Sequence, residues 1–305
     1  GFGSDWLREV RIVTADGKIR TGSSTENPDL FWAIRGGKTG FGVITSVTVE
    51  LAPISELYAG ALWFDAPHID TALHTWSAWA ATAPDNVTTS AALVRMPPLE
   101  VIPEPLRGRR LLAIRFAYPG PDTDGERIAA PLRDAAPIYI DALGPMPLEN
   151  VAQIYNDPDE PSPIRGWTKG YAMGKLDASV IERTLESFGP NAESPFMIAE
   201  FRHLGAAAGQ DVADGSAVGG RSCDFLFLVL GLSSEPITEV FADYADAFTA
   251  TVAGSILPET TVNFAGDTDD AEVYARSWSS DTFARLTQIR EQYDPARIFP
   301  SGVHS

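Results

Sequence analysis

The sequence predicts an α+β protein built on a large antiparallel sheet covered by helices, and three observations predict it. From about residue 56, seven apolar stretches of strand character follow one another, with helix-like stretches between several of them. That order suits an antiparallel sheet packed on one face. Ahead of them lie one hairpin, one helix and one strand, too little to enclose a core alone. After them, from about residue 260, the texture changes again to short helices and a proline-broken tail.

Taken in order, Arg8 to Thr14 alternate polar and apolar side chains, Ala15-Asp16-Gly17 supplies a turn, and residues 18–23 return, which predicts a hairpin. Asn27 then stands as an N-cap, with Pro28 at the first helical position and Asp29 in the positive first turn. Leu30, Phe31, Trp32 and Ile34 give this helix its apolar content, and Gly36 and Gly37 end it. Residues 41–53 read as a strand closed by Pro53. Strands are predicted over 56–64, 87–96, 109–118, 137–143, 167–176, 195–204 and 224–232, and helices over 67–82, 122–134, 180–188 and 236–253. Surface loops are expected at 97–108 and 157–166, and a mobile loop at 205–222, which lacks any periodicity. Residues 261–266 read as a short strand, 269–292 as one or two helices, and the end as a tail broken by Pro295 and Pro300.

Composition narrows the function. With 23 Lys and Arg against 41 Asp and Glu, the formal charge is −18. Such a surface repels phosphate backbones, so no nucleic-acid partner is expected. No apolar run reaches the roughly 18 residues a membrane span needs, and the first residues lack the pattern of a signal peptide, so a cytoplasmic location is expected. Cys223 is the only cysteine, and it reads as a buried, inert thiol. His68 and His74 are six apart, not the three or four that one helical face requires, so no metal site is expected.

The stretch 27–51 carries the strongest chemical signal. A helix stops at a double glycine, and the backbone runs through Thr39-Gly40-Phe41-Gly42 into a strand. Glycines there would let a large ligand approach the main chain, and unpaired amides in such a turn suit a phosphate or the polar edge of a nucleotide. The same glycines could equally do no more than cap the helix and form the turn. Gly37-Lys38-Thr39 imitates the end of a phosphate-binding ATPase loop, but that loop needs glycine where Trp32 stands and a helix where a strand follows. The ATPase reading fails.

Asn27-Pro28-Asp29-Leu30-Phe31-Trp32-Ala33-Ile34-Arg35-Gly36-Gly37, continued through Phe41-Gly42-Val43-Ile44, resembles the hallmark of FAD-linked oxidases of the berberine bridge and glucooligosaccharide oxidase type. The segment Thr261 to Asp267 and the run Tyr293-Asp294-Pro295 to Phe299 are similar to two C-terminal motifs of that family. The resemblance implies a flavin domain divided between residues 1–54 and 260–305, with residues 55–259 as the substrate domain, whose sheet roofs the substrate pocket. It implies that Gly40, Phe41, Gly42, Val43 and Ile44 lie against the flavin, largely through the main chain, and that Asn263 reaches toward it. The tail from Phe299 would pack back onto the flavin domain.

Three departures qualify this. No residue matches the family's first flavin-binding subdomain or its attachment histidine and cysteine. Thr261 stands where the family has tyrosine, and Trp6 replaces an asparagine. FAD is therefore expected in the full-length protein but not held tightly by this chain alone, and a missing subdomain or a homodimer mate is an expected partner.

An oxidase of this kind passes a hydride from a substrate C–H to the flavin while a base takes a proton. The resemblance implies a small alcohol, sugar or amine as substrate and molecular oxygen as the reoxidant. The sheet offers Tyr171, Arg202 and His203 as candidate catalytic residues, together with Glu200. By strand alternation Glu200 and Arg202 share one face and His203 the other. Glu200 with Arg202 would be an ordinary pair on a solvated face, His203 a core histidine and Tyr171 a packing residue if none takes part in catalysis. The alternative at the level of function is a flavin-free fragment or small-molecule-binding module.

Overall fold

The hairpin forms where alternation and the Ala15-Asp16-Gly17 turn place it, as β1 (Leu7–Val13) and β2 (Ile19–Ser23). Both belong to a computed structural model that describes residues 1–100, 102–155, 166–232, 238–266 and 270–300. Then come α1 (Pro28–Ile34), β3 (Val43–Val49), β4 (Tyr58–Asp65), α2 (Ile69–Ala80), β5 (Thr88–Arg95), β6 (Arg110–Tyr118) and α3 (Asp122–Arg133). The two-residue strands β7 (Ile140–Asp141) and β8 (Gly144–Pro145) precede β9 (Gly166–Met173), α4 (Ala178–Phe188), β10 (Ile198–His203), β11 (Phe225–Leu232) and α5 (Thr238–Thr251). Two helices, α6 (Ala271–Ala275) and α7 (Ser280–Tyr293), close the order. The loop expected at 157–166 lies outside the described residues apart from Gly166, as does the tail beyond Pro300.

The chain divides into two units. One gathers Gly1–Pro53, Gly205–Cys223 and Leu257–Ser305; the other gathers Ile54–Leu204 and Asp224–Ile256.

The first unit holds an antiparallel sheet in the order β2-β1-β3. Its hairpin and helix share a small cluster of Leu7, Val10 and Phe31, and α6 and α7 of the same chain complete a larger core. Leu30, Trp32, Ala33 and Phe41 pack with Tyr274, Trp278, Leu286 and Ile289. Asn27 does not cap α1 with its side chain. Its backbone is left-handed (φ 45°), and its Nδ2 donates to the Thr21 carbonyl at 2.8 Å instead. Residues 205–222 are irregular, as a loop would be, but tied down. Arg221 pairs with Asp5 at 2.5 Å and Asp211 at 3.3 Å, Ala217 is fully buried, and its amide donates to the Arg35 carbonyl. Every residue of β3 is exposed, among them Val43, Ile44, Val47 and Val49. Among the described residues its outer edge is unpaired.

The second unit is an antiparallel sheet of order β7-β4-β6-β5-β10-β11-β9, with β8 also on β4. One face sends Leu62, Phe64, Ile114, Phe116, Phe201 and Phe227 into a core with Trp76, Ile181, Phe241 and Phe248 from the helices. Full burial of each such side chain is worth about 1.5–3 kcal/mol. The other face carries a smaller apolar cluster, Ala61, Trp63, Ala92, Val94, Leu111 and Ala113. The strand expected at 137–143 shrinks to two residues. Pairing stops before Ala142, whose carbonyl lies 2.0 Å from where a Cβ on Gly60 would stand.

Candidate functional site

After α1 the backbone turns left-handed at every second residue: Gly36 (φ 110°), Lys38 (66°), Gly40 (96°) and Gly42 (147°). Alternation of this kind aims successive amides into one concavity suited to an anion. Arg290 of α7 fixes the turn from within. Its Nη2 donates to the Gly37 carbonyl at 2.8 Å and to the Tyr274 hydroxyl at 3.0 Å, and its Nε donates to the Thr39 carbonyl at 3.1 Å. Its guanidinium also lies 5.0 Å from the Phe41 ring. Burial lowers the pKa of Arg290 below the ordinary arginine value, with Tyr274 acting in the opposite sense. Two carbonyls are thus engaged. Among the described residues, none accepts from the amides of Lys38, Thr39, Gly40 or Phe41.

On the side where a Cβ would project, protein atoms stand close to both Gly40 and Gly42. A Cβ on Gly40 would stand 3.1 Å from Cδ and Nε of Arg290, and one on Gly42 would stand 2.3 Å from the Val13 carbonyl. The glycines admit the protein's own atoms, so a ligand at this turn would meet amides.

The other sequence-predicted cofactor residues divide by exposure. Gly40 and Phe41 are buried, Gly42 is half-buried, and Val43, Ile44 and Asn263 are exposed. Asn263 lies in a turn closed by the Phe264 amide on the Thr261 carbonyl at 2.8 Å, not in the strand expected there. Its Oδ1 accepts from Lys38 Nζ at 2.7 Å. These groups offer a flavin main-chain donors, a side-chain amide and a cation, so they fit that cofactor's polar edge.

The second unit holds a separate polar cluster on the face of its sheet opposite the large core, beside the 3-10 helix Leu148–Ile154. Register sets Arg115 opposite Ser90, and Ser90 opposite Arg202. Glu200, only 3% exposed, accepts from Arg115 Nη1 at 2.9 Å and from Arg202 Nε at 3.0 Å. Both guanidiniums lie over the Tyr155 ring, at 4.5 and 4.8 Å. The solvated-face reading of Glu200 and Arg202 is therefore overturned. A carboxylate this deeply buried needs such partners to offset its lost hydration. A charged residue amid the apolar run of β6 was the one sequence signal for Arg115; Tyr155, Lys38 and Arg290 had none.

Tyr171 and His203 sit on the opposite, helix-covered face. Tyr171 belongs to the apolar core cluster. His203 lies against Phe225 with ring centres 5.0 Å apart. Burial lowers its pKa, and Asp224 works the other way. The sheet itself stands between these two and Arg202, so the three candidates do not line one pocket. Among the described residues, no three histidine, cysteine or carboxylate side chains gather as a metal would need, and no helix is long and apolar enough to cross a membrane.

No family model matches the chain. It is 24% identical over 309 residues to the uncharacterized FAD-linked oxidoreductase YgaK of Bacillus subtilis, across 98% of the chain and 64% of that protein. The chain thus spans just under two thirds of this relative's length. Its fold is similar to that of the BBE-like 1 protein of Physcomitrella patens, in the D396N variant (TM-score 0.77, 15% identity), which covers 97% of this chain and 64% of that one. A chitooligosaccharide oxidase is similar too (TM-score 0.75, 15% identity, 98% and 65% covered).

Proposed function

We propose, from the premise that this chain is a homologue of FAD-linked oxidoreductases with a berberine bridge-like fold, that it forms part of an FAD-dependent oxidase of small molecules. The substrate is an alcohol, sugar or amine that gives up hydride from a C–H bond, and molecular oxygen is the final acceptor. FAD, when bound, supplies the hydride acceptor at its N5.

The protein's own groups divide the remaining work. The amides of Lys38 to Phe41 donate to the cofactor's polar edge, while Arg290 holds the turn in that shape. Asn263 has its carbonyl oxygen on Lys38 and so turns N–H donors to the cofactor. Val43 and Ile44 add exposed apolar surface. Arg202, steadied by Glu200, orients the substrate's hydroxyl or amine from the face of the sheet that carries Tyr155. Tyr171 and His203 keep a packing role. The bare edge of β3 seats further flavin-binding structure.

The observation that supports this reading best is the turn whose carbonyls are engaged from within while its amides are left for a ligand. Expression of the complete reading frame tests it. The purified protein should be yellow, release or retain flavin on acid precipitation, and consume oxygen with a substrate from these classes. A colourless protein that takes up no FAD would contradict it and favour the flavin-free module. Bleaching by substrate without oxygen uptake would make it a dehydrogenase.

A further inference from the structure

We propose that Lys38 is a cofactor-contacting cation, its ammonium held on Asn263 so as to neutralise an anionic part of bound FAD; this rests on the flavin reading above. Lys38 stands in the left-handed region (φ 66°), which glycine adopts without penalty and lysine does not. Its neighbours in the turn, Gly36, Gly37, Gly40 and Gly42, are glycines.

That side chain crosses to a residue 225 positions away, Asn263, and bonds its neutral oxygen at 2.7 Å. Among the described residues no carboxylate pairs with it. Beyond that bond the ammonium has two further N–H donors, in the same turn as four amides that donate to no described residue. In a chain of net charge −18, a lysine in the same turn as such amides suits an anion.

FAD offers two anionic places: its pyrophosphate, and the N1–C2 edge of the isoalloxazine, which gathers negative charge on reduction. Both are one chemistry for Lys38, and the experiment separates them. Lys38→Gly removes the cation and relieves the left-handed backbone, so folding does not confound it; Lys38→Arg keeps the charge. On the complete polypeptide, two quantities are read: the FAD concentration that half-loads apoprotein, and the midpoint potential of the bound flavin.

A pyrophosphate contact predicts that Lys38→Gly raises the half-loading concentration about tenfold, with the potential unchanged. A ring contact predicts a lower potential, by about 30 mV for each tenfold of preference lost in a two-electron couple. Lys38→Arg should restore whichever changes. If Lys38→Gly matches the parent protein in both, the inference is overturned and the flavin reading stands. If the parent itself loads no FAD, both fall.

Discussion

Arg290 occupies the space that a side chain on Gly40 would need: its Cδ and Nε lie 3.1 Å from where a Cβ would stand. The same guanidinium holds the carbonyls of Gly37 and Thr39, so one residue of α7 shapes the whole turn after α1. Gly40→Ala meets both this contact and a φ of 96°. It should cost about 1–3 kcal/mol of stability. Chemical denaturation reads this, and a neutral outcome would mean the turn is not held as described.

Glu200 should behave as a buried ion-pair partner. Glu200→Ala leaves Arg115, itself 8% exposed, without its carboxylate, and should destabilise by about 3–5 kcal/mol. The double variant Glu200→Ala with Arg115→Met should recover much of that loss. Equal losses in the two, measured by denaturant midpoint, would show that the charge pair is not the cause.

Arg202 and Tyr171 separate substrate contact from packing. In the holoenzyme, Arg202→Ala should lower kcat/KM by about ten- to a hundredfold, the worth of a charged hydrogen bond. Tyr171→Phe keeps the ring within the core cluster, and kcat/KM should stay within about threefold of the parent. The reverse ranking would return Tyr171 to the active site.

His203 predicts a slope of stability with pH. Burial holds its folded pKa below the unfolded value of about 6.5, so between the two the unfolded chain binds the extra proton. Its contribution is present above that unfolded value and is lost as pH falls below it toward the folded pKa. His203→Gln should flatten this acid limb, as seen in denaturation midpoints across mildly acidic pH. An unchanged limb would place the cause elsewhere.

The edge of β3 gives a prediction of location. Val47 is 53% exposed, although it stands opposite the buried Val10 in the register. Val47→Lys should leave the melting temperature within a degree or two, as surface changes do. It should nevertheless impair flavin retention in the complete polypeptide. Parent-like retention would remove β3 from the cofactor domain's interface.

Much of this was legible in the sequence, for reasons that differ by element. Alternation in β1, β5 and β10 is a local property, so their positions and faces could be read directly. The division of Arg202 from His203 followed from parity alone. The burial of Glu200 could not be read, because Arg115 lies 85 residues upstream and meets it only through the register of three strands. Residues 205–222 were legible only as aperiodic, because they pack by smallness instead of by period. Ala217 is fully buried, and a Cβ on Gly219 would strike the Ser277 carbonyl at 1.8 Å. At Gly40 a bare main chain signals close approach, and on the side where a Cβ would project the approaching group is Arg290, a distant residue that no local pattern announces.

Amide hydrogen exchange over Lys38 to Phe41, followed in the complete polypeptide without and with FAD, tests the central claim most directly. The account predicts fast exchange of these four amides in the flavin-free protein, since nothing described accepts from them, and strong protection once flavin is bound. Slow exchange without the cofactor, or no added protection with it, would contradict the claim that this turn is the cofactor's seat.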